Sequence, residues 1–165
     1  MANNPTTGQY LAVAKWDIPN HPSFASGDLD AGSYTPNSGA VIIPEGALIT
    51  RAYYMVEATF IDADDTDNGT LALGYTGATG AFVAAITAAA SGDVWDAGAR
   101  GTLVGHGGVE TGDDNQTAIV NAAKNAASFI HLTADKSLLL TIATDTFDTG
   151  VLTLYVEYVM TGQIA

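Results

Sequence analysis

The acidic segment Asp62–Gly69 holds the residue types that come closest to a metal-binding loop. It reads Asp-Ala-Asp-Asp-Thr-Asp-Asn-Gly, and carboxylate oxygens followed by a sharp glycine turn suit calcium. The spacing departs from the EF-hand loop, because Thr66 occupies the third ligand position and no glutamate follows at the required distance. We therefore predict a solvated loop between two strands and no bound metal, and the sequence leaves open whether Asp62–Asp67 binds calcium.

Other residues capable of chemistry do not assemble into a catalytic pattern. None of His21, His106 and His131 has a second ligand at zinc-type spacing. Candidate carboxylate pairs for glycoside hydrolysis exist, but nothing in the sequence places either pair across a cleft; they are Asp93 with Asp96 and Asp113 with Asp114. The segment 74–80 has regular glycines without the Gly-Lys-Ser/Thr of a phosphate loop, and no Gly-x-Ser-x-Gly elbow is present. We expect no enzyme, no catalytic residue and no cofactor.

The charge balance limits the classes of partner. Five basic residues oppose eighteen acidic ones, for a formal charge of −13. Such a surface repels nucleic-acid phosphates and anionic lipid headgroups, and the basic residues are scattered along the chain at positions 15, 51, 100, 124 and 136. Cysteine is absent, which excludes disulfides and thiol chemistry. We expect neither nucleic acid nor a membrane as a partner.

Period-two alternation identifies the elements that must position any site. The clearest strands are Leu48–Phe60, Thr70–Tyr75 and Val151–Met160, since alternate residues in each are apolar. Shorter strands are predicted at Tyr10–Trp16, 40–43, 100–104, 128–133 and 137–143. Ala81–Ala90 is compatible with a helix or a buried strand, and 117–127 with a helix. The last two strands are predicted to form a hairpin through Asp148-Thr-Gly150.

Many short strands separated by turns predict an all-β fold, which we interpret as a jelly-roll-like β-sandwich. Residues 1–38 contain four of the five prolines, which resist regular sheet. We therefore predict an extended N-terminal arm over residues 1–38 and one sandwich domain over residues 39–165. Candidate contacts to other subunits or to a larger surface are the aromatic residues of the arm and one side of the final strand: Trp16, Phe24, Tyr34, Thr153, Tyr155 and Glu157.

Three segments resemble small structural proteins of tailed bacteriophages that are encoded near the major capsid gene. They are Ile43–Arg51, with its Ile-Pro-Glu-Gly-Ala-Leu-Ile-Thr-Arg sequence, Ala84–Gly98, and the ending formed by 134–143 with 150–159. The resemblance implies a virion protein on the capsid surface, namely a head decoration or cement protein. It further implies the major capsid protein as partner and a homotrimer suited to threefold positions.

Two other functions remain open from the sequence. One is a head fibre, neck or tail component of the same particle. The other is a carbohydrate-binding adhesion module, for which Tyr34, Tyr75 and Trp95 are the candidate aromatic residues. The host, the capsid symmetry and the residues that contact the capsid do not follow from the sequence.

Overall fold

The computed structural model describes residues 8–24, 28–64, 68–88, 93–104 and 129–160. His106, the Asp113–Asp114 pair and the helix interpretation of 117–127 lie outside the described residues. Within them, the ambiguous alanine-rich stretch is a strand over residues 78–87. No helix in the described part of the chain is long and apolar enough to cross a membrane.

The described strands form two antiparallel sheets, so the predicted all-β sandwich is confirmed. The first sheet has the order β1-β10-β4-β7, with β8 also paired to β4, and the second has the order β2-β9-β5-β6, with β3 also paired to β9. Their bounds are β1 Gln9–Asp17, β2 Gly32–Tyr34, β3 Ile42–Ile43, β4 Ala47–Asp62, β5 Thr70–Tyr75, β6 Ala78–Thr87, β7 Arg100–Val104, β8 Ile130–His131, β9 Lys136–Ala143 and β10 Phe147–Met160.

The core lies between the two sheets. Strands β1 and β9 contribute alternate residues to it, whereas consecutive residues are buried in β5 and in the middle of β6. A cluster of aromatic rings fills its centre, with the Phe60 ring centroid 6.0 Å from that of Trp95 and 6.2 Å from that of Phe147. The polar atoms of the buried rings are satisfied, since Trp95 Nε1 donates to Ile86 O and Tyr54 Oη donates to Val94 O. The aliphatic core residues from β5, β9 and β10 are Leu71, Leu73, Leu138, Leu140, Ile142, Leu152, Leu154 and Val156.

The last two strands are not paired, so the predicted terminal hairpin is wrong. β9 pairs with β5 in the second sheet, whereas β10 lies between β1 and β4 in the first. The connection between them is at residues 144–146, and Asp148–Gly150 lies inside β10. Gly150 has a φ of +135°, and a Cβ there would lie 2.3 Å from Cδ1 of Phe60. The glycine thus permits close packing of β10 over the core and does not form a turn.

Strand β4 changes the face that it buries part-way along. The alternation predicted Leu48 on the buried face with Ala52, Tyr54 and later even-numbered residues, but Ile49 is buried instead. The register with β10 shifts here, because Arg51 pairs with Glu157 while Ile49 pairs with the next residue of β10. One extra residue in a strand moves the following side chains to the opposite face.

The N-terminal segment contributes strands to both sheets. β1 pairs with β10 along its whole length, and β2 pairs with β9. Trp16 connects β1 to β2, since its ring is fully buried and its Nε1 donates to the Tyr34 carbonyl oxygen at 2.9 Å. In the described chain these residues are therefore part of the sandwich, and a bridging role for residues 1–38 between subunits stays a prediction.

Candidate interaction surface

The outer side of the first sheet carries large side chains on four neighbouring strands. In β1 the inward positions are Ala12, Ala14 and Trp16, so the residues between them point outward. The registers align the outward residues of β1 with those of β10, those of β10 with those of β4, and those of β4 with those of β7. We call this surface the tyrosine face and define it by Leu11, Val13, Lys15, Arg51, Tyr53, Met55, Glu57, Arg100, Thr153, Tyr155 and Glu157.

Two stacked tyrosines form the centre of the tyrosine face. Tyr155 lies in register with Val13 on one side and with Tyr53 on the other. The two tyrosine rings are 4.8 Å apart between centroids and inclined by 10°. The Arg51 guanidinium carbon lies 5.1 Å from the centroid of the Tyr53 ring, within cation–π range. The centre is thus a broad aromatic surface with a cation on one side.

A small polar network borders this centre. Lys15 Nζ lies 2.7 Å from Glu57 Oε2, and Thr153 Oγ1 donates to Glu57 Oε1 at 2.6 Å. The hydrogen bonds from Lys15 and then from Thr153 hold the pKa of Glu57 below its ordinary value. The same Glu57 hydrogen bond raises the pKa of Lys15. Both groups therefore stay charged at neutral pH, and the network orders side chains of all three central strands.

Three large apolar side chains on the tyrosine face are exposed to solvent and lie outside the core. Leu11 is 55% exposed, Val13 45% and Met55 40%. Single exposed apolar residues are ordinary on protein surfaces, but a group of them around stacked aromatic rings is typical of an interaction site. The described tyrosine face has this composition.

The tyrosine face also differs from the rest of the chain in charge. It holds Lys15, Arg51 and Arg100, which are three of the five basic residues in a chain of net charge −13. Glu57 and Glu157 are the acidic residues in its definition. Three basic residues that are far apart in the sequence are therefore brought together by the fold on one sheet face. The tyrosine face thus carries one more basic than acidic group, on a chain whose net charge is −13.

The outer side of the second sheet has a different character. Its outward residues on β2, β9 and β5 are mostly small, and we call it the small-residue face, defined by Ser33, Thr70, Ala72, Gly74, Leu139 and Thr141. Ser33 Oγ and Thr141 Oγ1 are hydrogen-bonded across the strands at 2.9 Å. The backbone at the start of β6 lies against Gly74, where a Cβ would be 2.2 Å from the Ala78 carbonyl oxygen. This face has few large groups with which to hold a partner.

The candidate contact residues of the sequence analysis fall into two groups. Trp16 is fully enclosed by its own chain, so its prediction as a contact to another subunit is corrected: the tryptophan completes the core. Phe24 and Tyr34 are partly buried and pack against the same core. Thr153, Tyr155 and Glu157 lie together on the tyrosine face, where Thr153 is 4% exposed beneath its neighbours. Their role as contacts stays a prediction.

The aromatic residues considered for sugar binding do not form a binding platform. Trp95 is fully buried, and Tyr75 is 8% exposed with its ring packed edge-on against Phe82 at 5.7 Å. The Tyr34 hydroxyl donates to the Asp30 carbonyl oxygen, and the ring packs against His21. Trp95 and Tyr75 therefore present no open ring face to a ligand, and Tyr34 is half-buried apart from them.

Several residues of the tyrosine face were missed by the sequence analysis. The sequence of β1 does indicate a surface of this kind, because Leu11 and Val13 are apolar although they alternate with the buried residues Ala12 and Ala14. A strand that is apolar on both faces is buried on both faces or carries an interaction surface. The contribution of Tyr53 depended on the pairing of β4 with β10, which period-two alternation does not reveal.

A cluster of acidic side chains lies at one end of the sandwich. Carboxylate oxygens of Asp62, Asp64 and Asp145 all lie within 4.8 Å of one another. Asp62 and Asp64 belong to the acidic segment noted in the sequence, whereas Asp145 comes from the connection between β9 and β10. Asp65, Thr66 and Asp67 lie outside the described residues.

Comparisons with known proteins concern the fold. No family model and no curated protein matches the chain. A chain of the capsid asymmetric unit of cyanophage Pam1 has a TM-score of 0.54 at 12% identity, over 97% of this chain and 93% of that chain. Chains from the capsid of Ralstonia phage GP4 and from the acidic stable capsid structure of Helicobacter pylori bacteriophage KHP30 have TM-scores of 0.46 and 0.42, each at 16% identity. They cover 97% and 92% of this chain, and 90% and 86% of their own. The likeness to the Pam1 chain shows a shared fold.

Proposed function

We propose that this chain is a structural protein of a tailed-phage virion, that it decorates the outer surface of the capsid, and that it docks there through the tyrosine face. The observation that carries the proposal is the group of exposed aliphatic residues around two half-buried, stacked tyrosines on the outer side of the first sheet. The phage-like segments of the sequence support the same assignment, and so does the fold shared with a chain of the Pam1 capsid asymmetric unit.

The composition of the tyrosine face suits a protein partner. Tyrosine, methionine and arginine are enriched at protein–protein interfaces, and tyrosine and arginine are frequent hot-spot residues. Tyr53 and Tyr155 hold each other in one orientation through their stacked rings, so little side-chain entropy is lost when a partner covers them. We expect Tyr155 to be an anchor residue, since it lies at the centre of the face.

The charge of the tyrosine face favours a different protein over a second copy of this chain. The face holds three basic and two acidic groups, so two copies that met through it would bring together two patches that each carry a net positive charge, which is less favourable than a partner with acidic groups. A capsid surface with acidic or neutral groups would not meet this repulsion. The acidic remainder of the chain would then face solvent and keep decorated particles apart.

We further propose that the docked form is a trimer, as the resemblance to cement proteins implies. Light scattering after size-exclusion chromatography measures this directly, and a mass of three chains is expected. A monomeric mass together with full capsid binding would remove the trimer and leave docking through the tyrosine face intact.

A co-sedimentation assay with capsids that lack this protein tests the docking surface. Leu11 and Ile42 form a matched pair, because their exposed fractions are 55% and 56% and only Leu11 lies on the tyrosine face. We expect Leu11→Ser and Tyr155→Ala to weaken capsid binding by about tenfold or more, and Ile42→Ser to bind as the unmodified chain does.

Equal binding by all variants would contradict docking through the tyrosine face. Absence of binding by the unmodified chain would contradict the decoration role itself. Imaging of intact virions with an antibody against this chain distinguishes the head surface from a fibre, neck or tail location.

A further inference from the structure

We propose that Asp62, Asp64 and Asp145 form a calcium site that joins the two sheets at one end of the sandwich. This inference is independent of the function proposed above, because it concerns the far end of β4 and not the tyrosine face. The three carboxylates come from three places in the chain. Asp62 is the last residue of β4, Asp64 follows it in the connection to β5, and Asp145 lies in the crossover from β9 to β10.

The separation of the carboxylates fits a shared ion. Calcium binds oxygen ligands at about 2.4 Å, so any two ligands of one ion are at most about 4.8 Å apart. The oxygens of Asp62, Asp64 and Asp145 meet that limit for every pair. Backbone carbonyl groups and water complete the six to eight ligands that calcium usually takes, and the irregular geometry of a loop pair suits it better than the strict octahedron of magnesium.

The state of Asp62 is the second and independent observation. Its side chain is 3% exposed, so the carboxylate is almost completely removed from solvent. Oδ2 accepts a hydrogen bond from the Asn68 backbone N–H at 3.1 Å. Oδ1 is buried and receives no hydrogen bond from the described residues. A buried carboxylate oxygen without a partner is costly, and a bound cation would remove that cost.

The surrounding backbone holds the cluster in place without the ion. Ala63 N–H donates to the Thr146 carbonyl oxygen at 3.0 Å, which fixes the two connections to each other. Asp145 Oδ1 accepts the Thr146 backbone N–H at 2.7 Å, which orients that carboxylate. Directly beneath, Phe147 is fully buried and pairs with Asp62 in the register of β10 and β4. The site is therefore preorganised by strands of the first sheet and completed by the crossover from the second.

Three carboxylates this close repel one another when no ion is present, and calcium reverses the sign of their effect on stability. In calcium-free protein we expect Asp145→Asn to raise the melting temperature slightly, because it removes one negative charge. In calcium we expect the same variant to melt below the unmodified chain, because it has lost a ligand. Asparagine keeps the carbonyl oxygen that accepts the Thr146 N–H, so a change in folding alone does not account for this reversal.

The test uses the full chain, first treated with a chelator and then titrated with calcium chloride in a calorimeter and in thermal melts. For a site with a Kd of about 10⁻⁴ to 10⁻³ M we expect about 10 mM calcium to raise the melting temperature by roughly 3–10 °C. We expect Asp62→Asn and Asp145→Asn to abolish most of this rise. Magnesium at the same concentration controls for charge screening and is expected to have a much smaller effect.

Asp135→Asn is the matched control, since Asp135 lies at the opposite end of β9, roughly 25 Å away along the strand. Asn at this position can still accept the Glu45 backbone N–H that Asp135 Oδ1 accepts. It should respond to calcium as the unmodified chain does. The proposal is overturned if the unmodified chain shows neither binding heat nor a shift, if magnesium acts equally, or if Asp145→Asn responds in full.

Discussion

The tyrosine face and the small-residue face are the outer sides of two sheets that share one core, yet they differ in the size and charge of their side chains. The tyrosine face carries stacked rings, exposed aliphatic residues and three basic groups. The small-residue face is mostly serine, threonine, alanine and glycine. Because the inner faces already complete the core, the outer faces are free to differ, and the difference indicates which surface is suited to a partner.

The largest expected effect is on the small-residue face, where the structure tolerates no added bulk at one position. Gly74→Ala places a Cβ 2.2 Å from the Ala78 carbonyl oxygen, so the start of β6 must move. We expect the free energy of unfolding to fall by about 2–3 kcal/mol, as measured by urea denaturation. Gly80→Ala is the comparison in the same hairpin, because its Cβ would lie 3.3 Å from Cα of Ala84, a tight contact that needs only a small shift, and we expect a smaller loss. Equal losses for both variants would show that close packing does not require the glycine at position 74.

The next prediction compares the interaction energy of one cross-strand side-chain pair on each face. A double-mutant cycle on Tyr53 and Tyr155, each changed to alanine, should give a coupling energy of about 0.5–1.5 kcal/mol. The same cycle on Ser33 and Thr141 should give less than about 0.5 kcal/mol, since their hydrogen bond is exposed to solvent. Similar couplings in the two cycles would remove the energetic distinction between the faces.

A smaller effect concerns pH and is confined to the tyrosine face. The folded-state pKa of Glu57 lies below its ordinary value of 4.5. Its contribution is therefore fully present above that value and is lost as the pH falls through the folded-state pKa. We expect Glu57→Gln to melt about 1–3 °C below the unmodified chain at neutral pH, and we expect this difference to shrink as the pH falls through the folded-state pKa of Glu57. Thermal melts across this range check the sign, and Glu45→Gln measures the effect of a lost exposed charge alone. A difference that grows towards low pH would contradict the Lys15 and Thr153 hydrogen bonds as its cause.

The smallest effect on stability should come from the exposed aliphatic residues. Leu11→Ser and Ile42→Ser are each expected to change the free energy of unfolding by less than about 0.5 kcal/mol, as measured by the same denaturation. The two variants should then differ in capsid binding and not in stability. If Leu11→Ser unfolded much more easily than Ile42→Ser, the exposed part of the tyrosine face would be explained by folding, without any need for a partner.

The positions of several strands could be predicted because their signal is local. β5 was predicted with its bounds, and Leu71, Leu73 and Tyr75 face the core as their alternation indicated. β10 showed the same clear alternation, and its residues Leu152, Leu154 and Val156 are fully buried. Side-chain alternation is a property of one strand, so the residues of that strand suffice to detect it.

The candidate sites could be predicted only in part. Half of the proposed contact residues lie on the tyrosine face, because the outward side of β10 was recognised from its own alternation. Their neighbours on β1 and β4 were not recognised as one surface, since the pairings of Tyr155 with Val13 and Tyr53 join residues more than 100 positions apart. Asp145 was likewise not associated with the acidic segment that begins at Asp62.

By itself the sequence determined an acidic, cysteine-free chain of alternating strands and the inward side of its most regular ones. The tertiary structure alone decided that β9 and β10 lie in different sheets, that Trp16 belongs to the core, and that three scattered basic residues share one face. The physical reason is that alternation states which side chains point together but not which strand lies alongside. Which strands pair depends on how all the apolar side chains of the chain can be buried together. Both the tyrosine face and the acidic cluster result from that strand pairing.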